Sequence, residues 1–331
     1  MKGRLLVVAA LISCAFCYAE SKSTNQATSS YCTSAQLLER QSTRGRFVID
    51  TLDKRLCDDQ TLAWGRSVYR PDACALKTFS SADFAVCLQR RRGRLVFIGD
   101  SLNNQHTQAL VGWGDQVQLN NETELVRTFG GIPVTFIKKD MKRVKPPLPV
   151  ALCPGDVVIF SFAAHYNSTS KASLEADMVN LLNETTRVAG VAYFLKEFAP
   201  THFPSIDGTW ETYMESYDHS PKARGCSNQS LEMIHSAQSW RNDIMNAAVR
   251  KWKQSPAGSH VDFRVLRVFN MLADQWQGHK SSLSTDGTCC SRHNDCYRPE
   301  KRRGGLDCLH WNTYATTAVH QLFAHELCHG T

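Results

Sequence analysis

One apolar run that ends directly on a polar turn constrains the fold of this chain more than any other sequence feature. Residues 95–98 are Leu-Val-Phe-Ile, and Gly99-Asp100-Ser101 follow at once. Such a run is typical of a buried parallel strand that delivers a serine to the turn at the carboxyl edge of an α/β sheet. At that edge, the amide groups that open the next helix stabilise negative charge.

A second polar motif, Asp307-Cys308-Leu309-His310, lies near the other end of the chain. The Asp-x-x-His spacing allows one loop to present a base together with the carboxylate that orients it. We therefore predict that Ser101 is a nucleophile, that His310 is its base and that Asp307 holds the imidazole tautomer. The alternative is that Ser101 only caps a helix and His310 is a surface or packing residue. The presence of both motifs favours catalysis.

The region between the two motifs alternates between strand-like and helix-like segments. Further strands are predicted at 132–137, 156–162, 188–198 and 263–269, and helices at 104–112, 174–183 and 240–252. Such alternation predicts βαβ units. We expect a three-layer α/β/α sandwich with a mostly parallel sheet. The 331 residues allow one core of about 200 to 250 residues and a small appendage.

The first 19 residues predict export. They contain two basic residues, an apolar run from Leu5 and small residues near Ala19, which is the pattern of a secretory signal peptide cleaved after Ala19. An uncleaved anchor is the alternative, but the run is shorter than the ~20 residues of a spanning helix. No later segment is apolar enough to span a membrane. Residues 20–31 are polar and are predicted to be a disordered linker.

Cysteines and glycosylation sequons agree with export. Removal of the signal peptide leaves 11 of the 13 cysteines, and in a secreted chain most of these are expected in disulfides, with at least one left over. Residues 32–92 hold four of them and no strong strand, so we predict a disulfide-tied N-terminal appendage. Sequons predict that four asparagines lie at the surface: Asn121, Asn167, Asn183 and Asn228.

Several stretches of this sequence resemble a known group. The GDSL at 99–102 with a distant DxxH is similar to the SGNH hydrolase superfamily. Three further stretches resemble its PC-esterase branch, which contains the trichome birefringence-like polysaccharide O-acetyltransferases: Tyr69-Arg-Pro-Asp-Ala-Cys74 before the GDS, Pro200-Thr-His202-Phe with Gly208-Thr-Trp210, and Asp307-Cys-Leu-His310-Trp311. The resemblance covers roughly residues 57–328 and keeps the family's motif order.

The resemblance implies a fold and an activity. It implies an SGNH-like catalytic domain at 93–331 that moves an acetyl group to or from carbohydrate hydroxyls, in the Golgi lumen or outside the cell. The partner would be a polysaccharide or glycoprotein glycan, and no metal, nucleotide or other cofactor is implied. Two departures stand out. Asn312 follows Trp311 where the family continues with cysteine, and Ser161 stands where relatives often carry an asparagine.

Other polar and aromatic residues are candidates for the pocket. Ser161, His165 and His202 follow predicted strands, and the turn at Gly130 and Gly131 is a candidate for the second oxyanion donor. Trp210 and Trp311 could stack on a sugar, although core packing is the better explanation for either one taken alone. For His165 and His202, a purely structural role is the alternative.

Two other classes of function are weaker. His325-Glu326-Leu-Cys-His329 matches the HExxH pattern of zinc proteases, but Cys328 is expected in a disulfide and no third ligand follows. Cys289, Cys290, His293 and Cys296 could bind zinc, although a disulfide loop fits an oxidising compartment better.

The formal net charge is +7, of which Lys2 and Arg4 of the signal contribute two. Basic residues cluster at three places: 90–94, 138–145 and 301–303. They are either solvated loops or a means of attracting an acidic glycan. Nucleic acid is not expected for an exported chain. A secreted esterase and a non-catalytic glycan-binding protein are the alternatives to the transferase.

Overall fold

The computed structural model describes residues 45–49, 67–71, 74–111, 124–138, 150–216, 226–275, 278–279, 307–311 and 313–329. The predicted signal peptide and linker lie outside these ranges. So do Asn121, the candidate zinc cysteines at 289–296 and the basic cluster at 301–303. None of the described helices is long and apolar enough to cross a membrane.

Six strands form the main sheet. They are β3 (Leu95–Gly99), β4 (Glu124–Phe129), β5 (Ile132–Lys138), β6 (Val157–Ser161), β7 (Ala192–Lys196) and β8 (Asp262–Leu266), in the order β4-β5-β3-β6-β7-β8. Every neighbouring pair is parallel except β4 with β5, which form an antiparallel hairpin at one edge. The predicted α/β fold with a mostly parallel sheet is confirmed.

A small separate sheet was not expected. Strands β1 (Gly45–Ile49) and β2 (Ser67–Pro71) pair in antiparallel register within the region predicted to hold no strong strand. That prediction is wrong because it considered each segment alone. A five-residue strand is stabilised by the backbone hydrogen bonds of its partner, and the pattern of either segment by itself does not show that a partner exists.

Helices lie on both faces of the main sheet, as in a three-layer α/β/α sandwich. The described helices are α1 (Ser81–Arg91), α2 (Ser101–Val111), α3 (Lys171–Thr185), α4 (Trp210–Ser216), α5 (Leu231–Gln238), α6 (Trp240–Lys253), α7 (Phe269–Leu272) and α8 (Thr313–Cys328). The predicted helices at 104–112, 174–183 and 240–252 correspond to α2, α3 and α6.

Adjacent residues of β7 show which helices cover which face. Phe194 packs edge-on against Phe323 of α8, with ring centroids 5.1 Å apart. Tyr193 stacks on Phe263, which meets Trp252 of α6. Because neighbouring strand residues point to opposite faces, α8 covers one face and α6 the other. All side chains of β3, β6 and β7 are buried, which explains their nearly continuous apolar sequences.

Two of the disulfides among the described residues link segments that are far apart in sequence. Cys87 of α1 bonds Cys328 of α8, which confirms the expectation for Cys328. Cys226 bonds Cys308. Although α1 lies within the predicted N-terminal appendage, its Phe84 is fully buried and packs against Phe323 of the main core. The core therefore begins before residue 93.

Asp156 anchors the amino edge of the sheet. Its carboxylate accepts hydrogen bonds from the Arg94 amide at 2.8 Å, from the Arg94 guanidinium at 2.8 Å and from the Cys153 amide at 3.0 Å. Two backbone segments pack closely here, because a Cβ on Gly93 would lie 2.1 Å from the carbonyl carbon of Gly155. Arg94, part of a predicted basic cluster, is thus a structural residue neutralised by a buried carboxylate.

The sequons agree with the burial pattern. Asn167, Asn183 and Asn228 are all exposed, as predicted. Their side chains therefore lie where a glycan could be attached.

We expect the buried ion pair to matter for stability. Asp156→Ala removes a carboxylate whose partner is the partly buried Arg94, so the free energy of unfolding should fall by about 3 kcal/mol or more. Asp262→Ala is the matched control, because Asp262 also pairs with an arginine at 2.8 Å but its side chain is 39% exposed. That variant should lose less than about 1 kcal/mol. Urea unfolding with intact disulfides measures both, and equal losses would contradict this account.

Candidate active site

Ser101 is the first residue of α2, directly after β3, at the carboxyl edge of the parallel sheet. The preceding residue fixes the turn. The Asp100 amide donates to the Ser161 carbonyl at 3.2 Å, and the Asp100 carboxylate accepts the Leu102 amide at 3.0 Å. The Asn103 side chain donates to carbonyls of both β3 and β6. Hydrogen bonds of Asp100 and Asn103 to β3, β6 and the start of α2 therefore fix the turn that carries Ser101.

Ser101, His310 and Asp307 form one hydrogen-bonded chain. His310 Nε2 lies 2.9 Å from Ser101 Oγ, and His310 Nδ1 lies 2.9 Å from Asp307 Oδ1. The same carboxylate oxygen accepts the His310 amide at 3.0 Å. Because a carboxylate only accepts, Nδ1 carries the proton and Nε2 is free to accept the serine proton. The His310 side chain is 25% exposed, so a ligand can reach this row of hydrogen-bonded side chains.

The loop at 307–311, called here the His310 loop, is attached to the helix that carries Ser101. Gln105, one turn after Ser101, accepts the Trp311 amide at 3.0 Å and donates to the Trp311 carbonyl. The His202 amide donates to the Cys308 carbonyl, and the Cys226–Cys308 disulfide adds a covalent link. Gln105 thus fixes the distance between two residues that are 209 positions apart in sequence.

The backbone amides of Ser101 and Ala163, both at this edge, have no backbone acceptor within the described part of the chain. Ala163 is buried and has φ of 94°, a left-handed conformation that favours glycine. Such strain in a non-glycine residue costs on the order of 1 to 3 kcal/mol and is found at functional sites. The neighbouring Ala164 amide favours the charged form of Asp100.

One predicted oxyanion donor lies elsewhere. Gly130 and Gly131 form the turn between β4 and β5, and β5 runs parallel to β3, so this turn lies at the amino edge. There the Gly130 carbonyl accepts the side chain of Gln89 from α1. The prediction that these glycines serve Ser101 is wrong, because the extra antiparallel strand, not foreseen in the sequence, carries them to the opposite edge.

Two other predicted pocket residues are core residues. His202 is 1% exposed, and both of its ring nitrogens have partners, His279 at 2.7 Å and the Ala273 carbonyl at 2.9 Å. Trp311 is 2% exposed, and its ring packs on His279 with centroids 3.9 Å apart. Neither is accessible to a substrate, so the pocket prediction is wrong for both. His202 supports the His310 loop from behind, and Trp311 is the buried end of that loop.

The remaining predicted pocket residues lie at the correct edge. Ser161 ends β6 in register with Gly99, but it is only 1% exposed, so its side chain is no more accessible to a substrate than that of His202. His165 follows on the next loop and is exposed. Trp210 opens α4 and is 40% exposed, with Phe203 and Tyr213 as aromatic neighbours at 5.0 and 5.8 Å. Phe203, on which Trp210 packs, directly follows His202, and the His202 amide bonds to the His310 loop. Trp210 is therefore an exposed tryptophan close to that loop.

A layer of buried ionisable groups lies beneath the serine, and the sequence reasoning missed it. Lys196 ends β7, and its charge acts on Asp100, His106 and His320. Burial lowers the pKa of Lys196 to about 7, and burial raises the pKa of Asp100, which Lys196 opposes. The available signal was a lysine at the end of an otherwise apolar strand, Ala-Tyr-Phe-Leu-Lys.

The rival HExxH motif lies within α8. His325 Nδ1 accepts the Lys77 amide at 2.9 Å, and Cys328 is in a disulfide. Within the described ranges, no group of three or more histidine, cysteine, aspartate or glutamate residues is placed to hold a metal ion. The basic residues 90–92 end or follow α1 just before β3, which is the edge opposite to Ser101.

The strain at Ala163 gives a paired test. Ala163→Gly removes a positive-φ penalty, whereas Ala164→Gly adds chain entropy to the unfolded state without relieving strain. We expect the first variant to be more stable than the second by about 1 kcal/mol in urea unfolding. A less stable Ala163→Gly protein would show that the conformation carries no strain.

No protein-family model and no curated protein matches this chain. The resemblance to a known family therefore rests on the sequence motifs alone.

Proposed function

We propose that this protein moves an acyl group, most simply acetyl, to or from carbohydrate hydroxyls through an acyl-enzyme on Ser101. The observation that supports this most is the unbroken hydrogen-bonded chain from Ser101 through His310 to Asp307. Two segments that are 209 positions apart meet at hydrogen-bond distance, with the donor and acceptor arrangement that proton transfer needs. A helix cap or a packing histidine does not require this arrangement.

The first half of the reaction is acylation of Ser101. His310 Nε2 takes the hydroxyl proton while Oγ attacks the carbonyl carbon of the acyl donor. The tetrahedral intermediate then collapses, the bond to the donor oxygen breaks, and His310 returns the proton to that oxygen. Asp307 stabilises the imidazolium that forms in between and holds its orientation throughout.

The second half repeats these steps with a new hydroxyl. The acceptor gives its proton to His310 and attacks the acyl carbon, and Ser101 leaves with the proton returned to Oγ. If the acceptor is a sugar hydroxyl, the protein is an O-acyltransferase, and if it is water, an esterase. The resemblance to the PC-esterase branch of the SGNH hydrolases favours the transferase, with a polysaccharide or glycoprotein glycan as acceptor.

The negative charge of the intermediate requires donors. The Ser101 amide is one, as the first amide of α2. The amide of Ala163, which has no backbone acceptor among the described residues, is our candidate for the second, because it follows the strand next to β3 and is held in a strained conformation. In relatives, glycine often stands at the position of Ala163, and asparagine at that of Ser161. The missing asparagine is the one feature that favours the alternative, a glycan-binding protein without catalysis.

Trp210 is our candidate for contact with the acceptor. An indole face that is partly exposed and backed by two further aromatic rings can stack on the apolar face of a sugar ring. The predicted signal peptide supports the Golgi lumen or the outside of the cell as the site of the reaction, with glycans, including acidic ones, as acceptors.

Covalent labelling tests the nucleophile. A fluorophosphonate probe should label the secreted, disulfide-intact protein, and Ser101→Ala and His310→Ala should abolish labelling. Asp307→Asn should slow it by about 10³-fold or more, because the imidazole then loses its tautomer control. Ser168→Ala, an exposed serine at the same edge, is the control and should label as the wild type does. Folded wild-type protein that does not label, but binds glycan, would favour the non-catalytic alternative.

Replacing Trp210 tests the acceptor contact. Trp210→Ala should raise KM for the glycan acceptor up to about tenfold, while the rate of probe labelling stays unchanged. Trp210→Phe should recover part of the loss. Val179→Ala, on the exposed side of α3, is the control for loss of an exposed apolar side chain. An unchanged KM would exclude Trp210 from the acceptor site.

A further inference from the structure

Two buried histidines stand directly behind the His310 loop. His279 Nδ1 lies 3.2 Å from the His310 carbonyl, and His279 Nε2 lies 2.7 Å from His202 Nδ1. His202 Nε2 lies 2.9 Å from the Ala273 carbonyl. The two rings, called here the histidine pair, are 1% and 2% exposed. They form a row of three polar contacts that ends on the main chain of the proposed catalytic base.

Counting protons along this row gives a definite result. The two carbonyl oxygens can only accept, so His202 Nε2 and His279 Nδ1 must each carry a proton. Two neutral imidazoles carry only two protons, and both are then used. The remaining nitrogens, His202 Nδ1 and His279 Nε2, would face each other at 2.7 Å as two acceptors, which is repulsive. The row is complete only when the pair holds a third proton.

We propose that His202 and His279 share one proton as an imidazole–imidazolium pair, and that this pair positions the His310 loop. The proton sits between His202 Nδ1 and His279 Nε2. It leaves His279 Nδ1–H free to donate to the His310 carbonyl. The inference rests on the proposed function in one respect, namely that His310 is the base whose position matters.

The surroundings of the pair fit this role. His279 forms a backbone bridge with Trp311, and its ring lies on the indole of Trp311. The preceding residue is Gly278, where a Cβ would lie 3.0 Å from that indole, so the close approach needs a glycine. His279 is thus fixed to the loop by its main chain, its ring face and its Nδ1–H, and His202 is fixed by its amide to Cys308.

Opposing electrostatic effects decide how tightly the pair holds its proton. Burial lowers the pKa of His202 to about 4, and burial lowers that of His279. After burial, a charge on His202 lowers the pKa of His279 most, and a charge on His310 lowers it further. The hydrogen bond to the His310 carbonyl and the Asp307 carboxylate, which faces His279, raise it. The shared hydrogen bond adds to the effect of Asp307. The electrostatic interaction between His279 and a charged His310 is mutual.

Nitrogen NMR tests the proton without any activity. In ¹⁵N-labelled Ser101→Ala protein, the facing nitrogens of the pair should show shifts between those of protonated and bare imidazole nitrogens over part of the range from about pH 4 to pH 7. A fully bare nitrogen in the pair throughout that range would overturn the proposal. This result does not depend on whether Ser101 reacts.

A variant tests the positioning role. His279→Gln keeps an amide that can donate to the His310 carbonyl but removes the titrating group. The acidic limb of the pH profile for probe labelling should then move to higher pH, on the order of half a pH unit, because His310 has lost a neighbouring positive charge. His260→Gln, at an exposed histidine, should leave the profile in place. An unmoved limb in folded His279→Gln protein would contradict the proposal.

If the wild type does not label at all, the proposed function fails, while the NMR result still decides whether the proton is shared. The two failures are therefore distinguishable.

Discussion

The proposed site depends on one side chain amide that joins two distant parts of the chain. Gln105 holds both the amide and the carbonyl of Trp311, and it does so from the same face of α2 that presents Ser101. The contact is buried, so each polar group that it satisfies would be costly to leave without a partner. Without it, the hydrogen bond between His310 and Ser101 would depend on the Cys226–Cys308 disulfide and on contacts from behind the loop.

The region around the serine is more polar than the core of a protein usually is. Asp100 and Lys196 are both nearly inaccessible to solvent, and His106 and His320 are buried beside them. Such groups cost stability when they are charged, and burial lowers the pKa of both histidines. The strained Ala163 lies at the same edge. Buried ionisable groups and backbone strain, both of which lower stability, thus occur together at the edge that carries Ser101, His310 and Asp307. This combination is common at functional sites.

The sequence predicted those features that depend on local pattern. The apolar runs at 95–98 and 156–162 predicted buried parallel strands, and the turn after the first predicted the position of Ser101. The pairing of Ser101 with His310 could be predicted because both motifs are short and chemically specific. The ends of the strands were predicted less accurately. Within the predicted strand at 188–198, only Ala192–Lys196 form a strand. Beyond that end, the Phe198 amide donates to the Asn242 side chain and not to a neighbouring strand.

Features that depend on which segments meet could not be predicted. Gly130 and Gly131 read as a turn, but only the antiparallel pairing of β4 with β5 shows at which edge that turn lies. His202 and Trp311 lie in motifs near the site, and nothing in their spacing shows that they point into the core. His279 had no local signal at all, since its role comes from contacts with His202 and His310.

The most direct test of the central claim is intact mass spectrometry after brief exposure of the protein to an activated acetyl ester. The account predicts a gain of one acetyl group, mapped to the peptide that contains Ser101 and absent from His310→Ala protein. Acetylation spread over lysines with Ser101 unmodified, in protein shown to be folded, would contradict the proposed acyl-enzyme.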